Sequence, residues 1–265
     1  GSLKDLSKKI TLDNAMLLYL DNTTNNADNP NENYAREFLE LFTIGKGEQI
    51  GEGNYTTYTE SDVQQAARVF SGFKTKLDRS IIDSQTNLPM GRTNINQHDS
   101  GDKQFSSAFD NYLLVGSETS EGMFNEINQI VEMIFSKRET AKNYVKKVYR
   151  FFVKSEWNQQ IEDEVINHLT DELILNNFNI YFIIKRLLTS THFYDLNDEN
   201  SNDEIIGSIV KSPLQLMSQM VSVLNVPIPN PNSDITGFYR FWHFLNHNNF
   251  LPMAGMGIFS PDTVA

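Results

Sequence analysis

The chain contains no cysteine. Disulfides, thiolate metal sites, iron–sulfur clusters and cysteine nucleophiles are therefore excluded together. It is also short of positive charge. Its 22 Lys and Arg stand against 34 Asp and Glu, giving a net charge of −12. A surface that tracks phosphates needs clustered Lys and Arg, so neither nucleic acid nor anionic lipid is an expected partner. Long apolar runs are missing as well: no stretch approaches the roughly 20 residues that span a bilayer. The His-Glu-x-x-His, Gly-x-x-x-x-Gly-Lys-Ser/Thr and Gly-x-Ser-x-Gly signatures are all absent. Gly45-Lys46-Gly47 follows a helical stretch, not a strand, and reads as a turn. No signal peptide is visible, and Gly1-Ser2 has the look of a cloning scar.

What is present is ordinary globular material. Hydrophobic residues make up 39% and charged residues 21%, too apolar for a disordered chain. At 265 residues a sizeable core can form without staples. Apolar residues recur at helical spacing nearly throughout. Tyr34, Ala35, Phe38, Leu39, Leu41 and Phe42 cover one arc of a helix that Gly45 ends. Thr59-Glu60-Ser61-Asp62 is shaped like a capping box ahead of Val63, Ala66, Ala67 and Phe70. Further helices run through Ile127–Ile134, Ala141–Phe152, Ile161–Leu173 and Ile180–Leu188, and Ser212-Pro213 opens another. Asparagine is frequent, 29 in all, and many fall where caps and turns are expected.

Three segments break the helical period. Residues 74–117 are long, turn-rich and irregular, with a short hairpin expected around Asn94–Phe105. Residues 195–204 form an acidic loop, and residues 226–232, with Pro227, Pro229 and Pro231, a stiff connector. The predicted fold is all-α: one domain over residues 1–265, a multi-helix bundle with a single irregular or hairpin insertion.

From Asn31 to Gly45 the chain reads Asn-Glu-Asn-Tyr-Ala-Arg-Glu-Phe-Leu-Glu-Leu-Phe-Thr-Ile-Gly. This resembles the hallmark N-E-N-x-A-R-E-L-x-E-L-x-T-L-G of a bacterial family catalogued as domain of unknown function 1800. Tyr58–Val63 is similar to that family's Y-T-E-x-D-V, and Ala66–Gly72 to its following A-R-A-L-T-G stretch, with Phe73 in place of Trp. His98–Phe105 is similar to its H-D-x-G-x-K-x-F element, and Tyr149–Val153, Leu188–Phe193 and Lys211–Pro213 follow in family order. The resemblance spans nearly the whole chain. It implies a fragment lacking an N-terminal helical region and the extreme C-terminal part. It also implies a periplasmic or extracellular location and exported sulfatase-like proteins as neighbours. It implies no reaction.

Three constellations are candidates for function. The first is the polar arc Glu32, Asn33, Arg36, Glu37 and Glu40, either a solvated helix face or a cleft wall with carboxylates for proton transfer and Arg36 as anion clamp. The second is His98-Asp99 with Lys103: an oriented imidazole, or a structural turn. The third is a loop in which Asp21, Thr23, Asn25, Ala27 and Glu32 fall at positions 1, 3, 5, 7 and 12 of an EF-hand-like register, with Asn26 where glycine belongs. It reads as a weak Ca²⁺ site or as an Asn-rich helix cap, and no other cofactor is expected. The first two constellations are expected to share a groove, with Arg36 paired to Asp99 or Glu40. The leading function is an extracytoplasmic module binding a polar ligand or envelope protein through Asn33, Arg36 and Lys103. The alternative is a hydrolase using Glu37 or Glu40 with His98-Asp99. Hydrogen-bond reach between His98 and the arc would favour the enzyme, and a loop merely locked onto a helix would favour the binding module.

Overall fold

Thr59 accepts from the Asp62 N–H while Asp62 accepts from the Thr59 N–H, so the capping box closes as the sequence predicts. The helix it starts, Glu60–Val69, buries Val63, Ala66, Ala67 and Val69 completely, with Phe70 just beyond its end. In the computed structural model, residues 1–195, 209, 211–246, 250–254, 256–257 and 260–261 are described. They fall into two compact units, Gly1–Ile205 and Ile206–Ala265. The architecture is mostly helical, as expected, and no helix among the described residues is long and apolar enough to cross a membrane.

The first unit contains α1 (Leu3–Thr11), α2 (Asn14–Tyr19), α3 (Asn33–Glu37), α4 (Glu60–Val69), α5 (Ser120–Phe135), α6 (Arg138–Phe152), α7 (Gln159–Ile161), α8 (Asn167–Leu175), α9 (Ile180–Leu188) and α10 (Thr191–Tyr194). The α5 helix packs against α1, α4 and α6, and α6 packs in turn against α8 and α9. Tyr34, Phe38 and Phe70 form an aromatic knot with centroids 5.0–5.8 Å apart. The Tyr34 hydroxyl, buried among them, donates to Thr11 Oγ1 at 2.8 Å.

Beyond α3 the chain widens into a π turn, Phe38–Phe42, before Gly45 at φ +78°. A widened turn leaves carbonyls that no residue further along the helix can reach. Side chains of α6 take them: Tyr144 donates to Phe42 O, Lys147 to Leu41 O, and Asn143 to Thr43 O at 2.7 Å. This couples the end of the Asn33–Phe42 stretch to a helix a hundred residues later.

The irregular segment carries two short strand pairs where the sequence predicts one hairpin. Among the described residues of the first unit, three short antiparallel β pairs form: β1 (Gln49–Gly51) with β2 (Asn54–Tyr55), β3 (Phe73–Lys74) with β4 (Arg92–Thr93), and β5 (Lys103–Gln104) with β6 (Leu113–Leu114). The hairpin expected at Asn94–Phe105 is displaced to β5–β6. Its reversal uses Asp110 and Asn111, both left-handed at φ +57° and +54°. Residues 95–97 form a single 3₁₀ turn instead.

In the second unit, Ser212 and Gln215 form a reciprocal capping box at the start of α11 (Pro213–Val223), with proline at the first helical position. The proline connector leads to α12 (Ile235–Asn246), α13 (Phe250–Met253) and the pair β7 (Met256–Gly257) and β8 (Ser260–Pro261). Beyond Asp195, the acidic loop expected at residues 195–204 lies outside the described residues.

Candidate functional site

Gly72 makes the junction between α4 and the His98 loop possible. At φ +77° it turns the chain back sharply, and an added Cβ would stand 2.8 Å from Asn94 O and 2.9 Å from His98 N. Ser71, beside it, donates its hydroxyl proton to Arg68 O at 2.7 Å and accepts the Asp99 N–H at 2.9 Å. The His98 ring therefore lies over Ser71, with Nδ1 2.9 Å from the Ser71 carbonyl oxygen. A carbonyl can only accept, so Nδ1 carries a proton. On the other side Nε2 lies 3.1 Å from Glu126 Oε1.

Glu126 gathers more than the histidine. Its Oε1 accepts the Ser117 N–H at 2.8 Å and its Oε2 accepts Lys103 Nζ at 2.6 Å. Lys103 also donates to Asp99 O at 2.5 Å. The side chains of His98, Lys103 and Glu126 are all 0% exposed. Burial pushes the Lys103 ammonium below its ordinary range against the pull of Glu126. Asp99 faces outward and clasps Arg68 with both oxygens, at 2.7 Å to Nε and 3.0 Å to Nη2. Desolvation pushes its carboxyl up, but Arg68 and the Gly101 N–H more than offset this, so it sits below the usual range.

The arc on α3 is a different place. Arg36 forms a two-pronged pair with Glu60, at 2.5 and 3.0 Å, and reaches Glu32 at 3.2 Å. The pair with Asp99 or Glu40 expected from the sequence is not made, because Asp99 belongs to Arg68 and Glu40 to Lys46 at 2.5 Å. The Arg36 hydrogen bond holds Glu60 below the usual carboxylate range. Asn33 donates to Leu20 O at 3.3 Å, and Glu37 is half-buried on the same arc. Nor do the arc and the His98 loop face each other across one groove. Glu60 and Arg68 lie eight residues apart on α4, about 12 Å along its axis, and each holds one of the two motifs. The partners of His98 are Ser71 and Glu126, with neither Glu37 nor Glu40 among them.

In the Asp21–Glu32 loop, Asn25 and Glu32 bond to the protein itself, while the exposed Asp21 accepts through its backbone carbonyl. Asn25 is fully buried; it donates to Ala67 O at 2.8 Å and to Asn22 Oδ1 at 3.2 Å, and accepts the Asn31 N–H at 3.0 Å. Asn22 donates to Phe70 O at 3.1 Å. Both amides thus close carbonyls at the end of α4. Glu32 is turned to Arg36, and the cation in the loop is Lys74, whose Nζ donates to Thr23 O at 2.7 Å and Asn25 O at 3.3 Å. Among the described residues no three His, Asp or Glu side chains converge as a metal cluster.

Sequence reasoning overlooked Glu126, Arg68, Ser71 and Glu60. For Glu126 the signal was available: it falls at helical spacing on the apolar face built by Met123, Ile127 and Ile130, where an acid needs a partner. For Glu60 there was none, since its pairing depends on which helix lies across from it. No curated protein and no solved structure matches the chain. A family sequence model matches residues 1–265, and the chain belongs to that family, described as protein of unknown function (DUF1800).

Proposed function

We propose that the chain is a non-catalytic binding module of the bacterial cell envelope that presents the Asn33–Glu40 arc to a polar ligand or protein partner. The supporting observation is the burial of the His98–Glu126–Lys103 cluster. A general base must come within hydrogen-bond reach of the proton it abstracts. His98 and Glu126 are sealed from any substrate, whereas Glu37 and Glu40 lie on a half-buried arc with no imidazole among their partners in the described residues. Around the arc, Glu32, Glu37, Glu40 and Glu60 outnumber Arg36 and Lys46, an acidic surface suited to a basic face.

The exported sulfatase-like proteins implied by the family resemblance are the first partners to try. Calorimetry with such a protein from the same genome is expected to give a saturable complex. Combining Glu37→Lys with Glu40→Lys should weaken it by about tenfold or more. Absence of a complex would overturn the reading. So would hydrolysis of chromogenic ester or phosphodiester substrates that is abolished by Glu37→Gln in a folded variant.

A further inference from the structure

The chain is strongly acidic, yet one face of α6 carries a stripe of cations. Lys142, Lys146 and Arg150 recur every four residues and so share a face. The two lysines line a cavity of about 380 Å³ together with Trp157, Asn158, Gln159 and Glu162, and Arg150 lies one turn further along the same face. That volume is near the lower end of small-molecule sites, roughly 300–1,000 Å³. Glu162 accepts from three directions: Lys142 at 2.6 Å, Lys146 at 3.2 Å and the Trp157 indole N–H at 2.6 Å. Arg150 lies over the Trp157 ring at 4.9 Å and Lys146 over it at 5.9 Å.

We infer that this pocket binds a small oxyanion group, a phosphate or sulfate, free or carried on a larger molecule. Lys142 and Lys146 share the single carboxylate of Glu162, which leaves one positive charge in excess among the lining residues. Glu162 also positions the ammoniums. Each uses one of its three N–H bonds on the carboxylate, so the remaining donors stay oriented, and part of the rotamer entropy that binding would cost is already spent. The lysine side chains are 29% and 32% exposed, open enough to be reached and sheltered enough to be incompletely screened. The pocket shares no residue with the Asn33–Glu40 arc, so its occupancy and partner binding there are separable.

The chain has two tryptophans, and Trp242→Phe leaves Trp157 as the sole indole reporter. Fluorescence of this variant is titrated with inorganic phosphate, sulfate and glucose 6-phosphate, against chloride and acetate at matched ionic strength. The expected result is a saturable change with the three oxyanions, with affinity falling about tenfold in Lys146→Gln and falling similarly in Lys142→Gln. Tighter binding of glucose 6-phosphate than of inorganic phosphate would support a carried group, and the reverse order a free ion. A response that stays linear through the millimolar range overturns the inference, as does one that is the same for chloride or unchanged in both folded lysine variants.

Discussion

Replacing Glu126 by glutamine keeps the side-chain shape and removes a single charge. In the native protein its two oxygens accept from Lys103 Nζ and the Ser117 N–H, at 2.6 and 2.8 Å, and Oε1 also lies 3.1 Å from His98 Nε2. Glutamine has one oxygen and one amide nitrogen. Whichever way it is turned, the nitrogen confronts a group that was donating, either the Lys103 ammonium or the Ser117 N–H. With side-chain exposure at 0% on both sides of the ion pair, no water can intervene to relieve this. Breaking a buried pair from one side costs about 3–5 kcal/mol, because the surviving charge is stranded. Against a typical domain stability of about 5–15 kcal/mol that is a large fraction. In a unit of this size it corresponds to a melting temperature lower by about 6–20 °C. Urea unfolding followed by far-ultraviolet circular dichroism measures the loss. The same experiment on Lys103→Met and on the double variant closes the cycle. Removing both charges should be less costly than the sum of the singles by about 1–3 kcal/mol. A loss below about 1 kcal/mol for Glu126→Gln, or strict additivity, would refute the buried-lock reasoning.

Arg36→Ala is expected to cost about 1 kcal/mol or less in the same assay, because its pairs with Glu60 and Glu32 are roughly one-third exposed and screened by water. Gly72→Ala should cost more than about 2 kcal/mol, combining a left-handed φ with a clash against His98 N, and should lower hydrogen-exchange protection of residues 94–99. Desolvation pushes the Glu162 carboxyl up, but Lys142, Trp157 and Lys146 outweigh it and bring its pKa down to about 2. Its stabilising contribution is therefore complete above the ordinary carboxylate range and lost as pH falls towards about 2. Melting curves through that interval should show a smaller acid loss in Glu162→Gln. Millimolar Ca²⁺ should leave the melting temperature unchanged, since Asn25 and Glu32 are already engaged. A saturable calorimetric heat would instead establish the loop as a metal site.

Features written in neighbouring residues were the legible ones. The Thr59–Asp62 box, the Gly45 stop and the Ser212-Pro213 start depend on two to four residues each, and all three appear as expected. Of the apolar arc read from periodicity, Tyr34, Ala35, Phe38 and Leu39 are buried, whereas in the π turn Phe42 is half-buried and Leu41 is exposed. Pairings across the fold were not legible. Arg36 has acids at Glu32, Glu37 and Glu40 on its own helix, yet its closest partner, Glu60, is 24 residues away. The irregular segment defeated local reading for a related reason. His98 and Lys103 look like surface turn residues until α5 brings Glu126 against them, and the hairpin then forms further along, where Asp110 and Asn111 accept positive φ.

The short helix α4 explains why so many candidate residues proved to be spoken for. Its first turn holds Arg36 through Glu60, and Asp62 accepts both the N–H and the hydroxyl of Ser106 at 2.7 Å. Its last turn holds Asp99 through Arg68, while the carbonyls of Ala67 and Phe70 receive Asn25 and Asn22. Ser71, just past its end, seats His98. A segment with little regular structure must satisfy its backbone through side chains, and each such bond requires a particular polar group at a particular position. The polar motif residues are thus accounted for by the assembly of the loops around α4 before any chemistry is invoked. An activity lost on mutating Asp99, Lys103 or Asn25 would consequently report the loosening of this assembly unless stability were measured in the same variant. Chemistry or recognition is better sought on side chains that the scaffold leaves partly accessible: the Glu37–Glu40 arc and the lysine pair at Trp157.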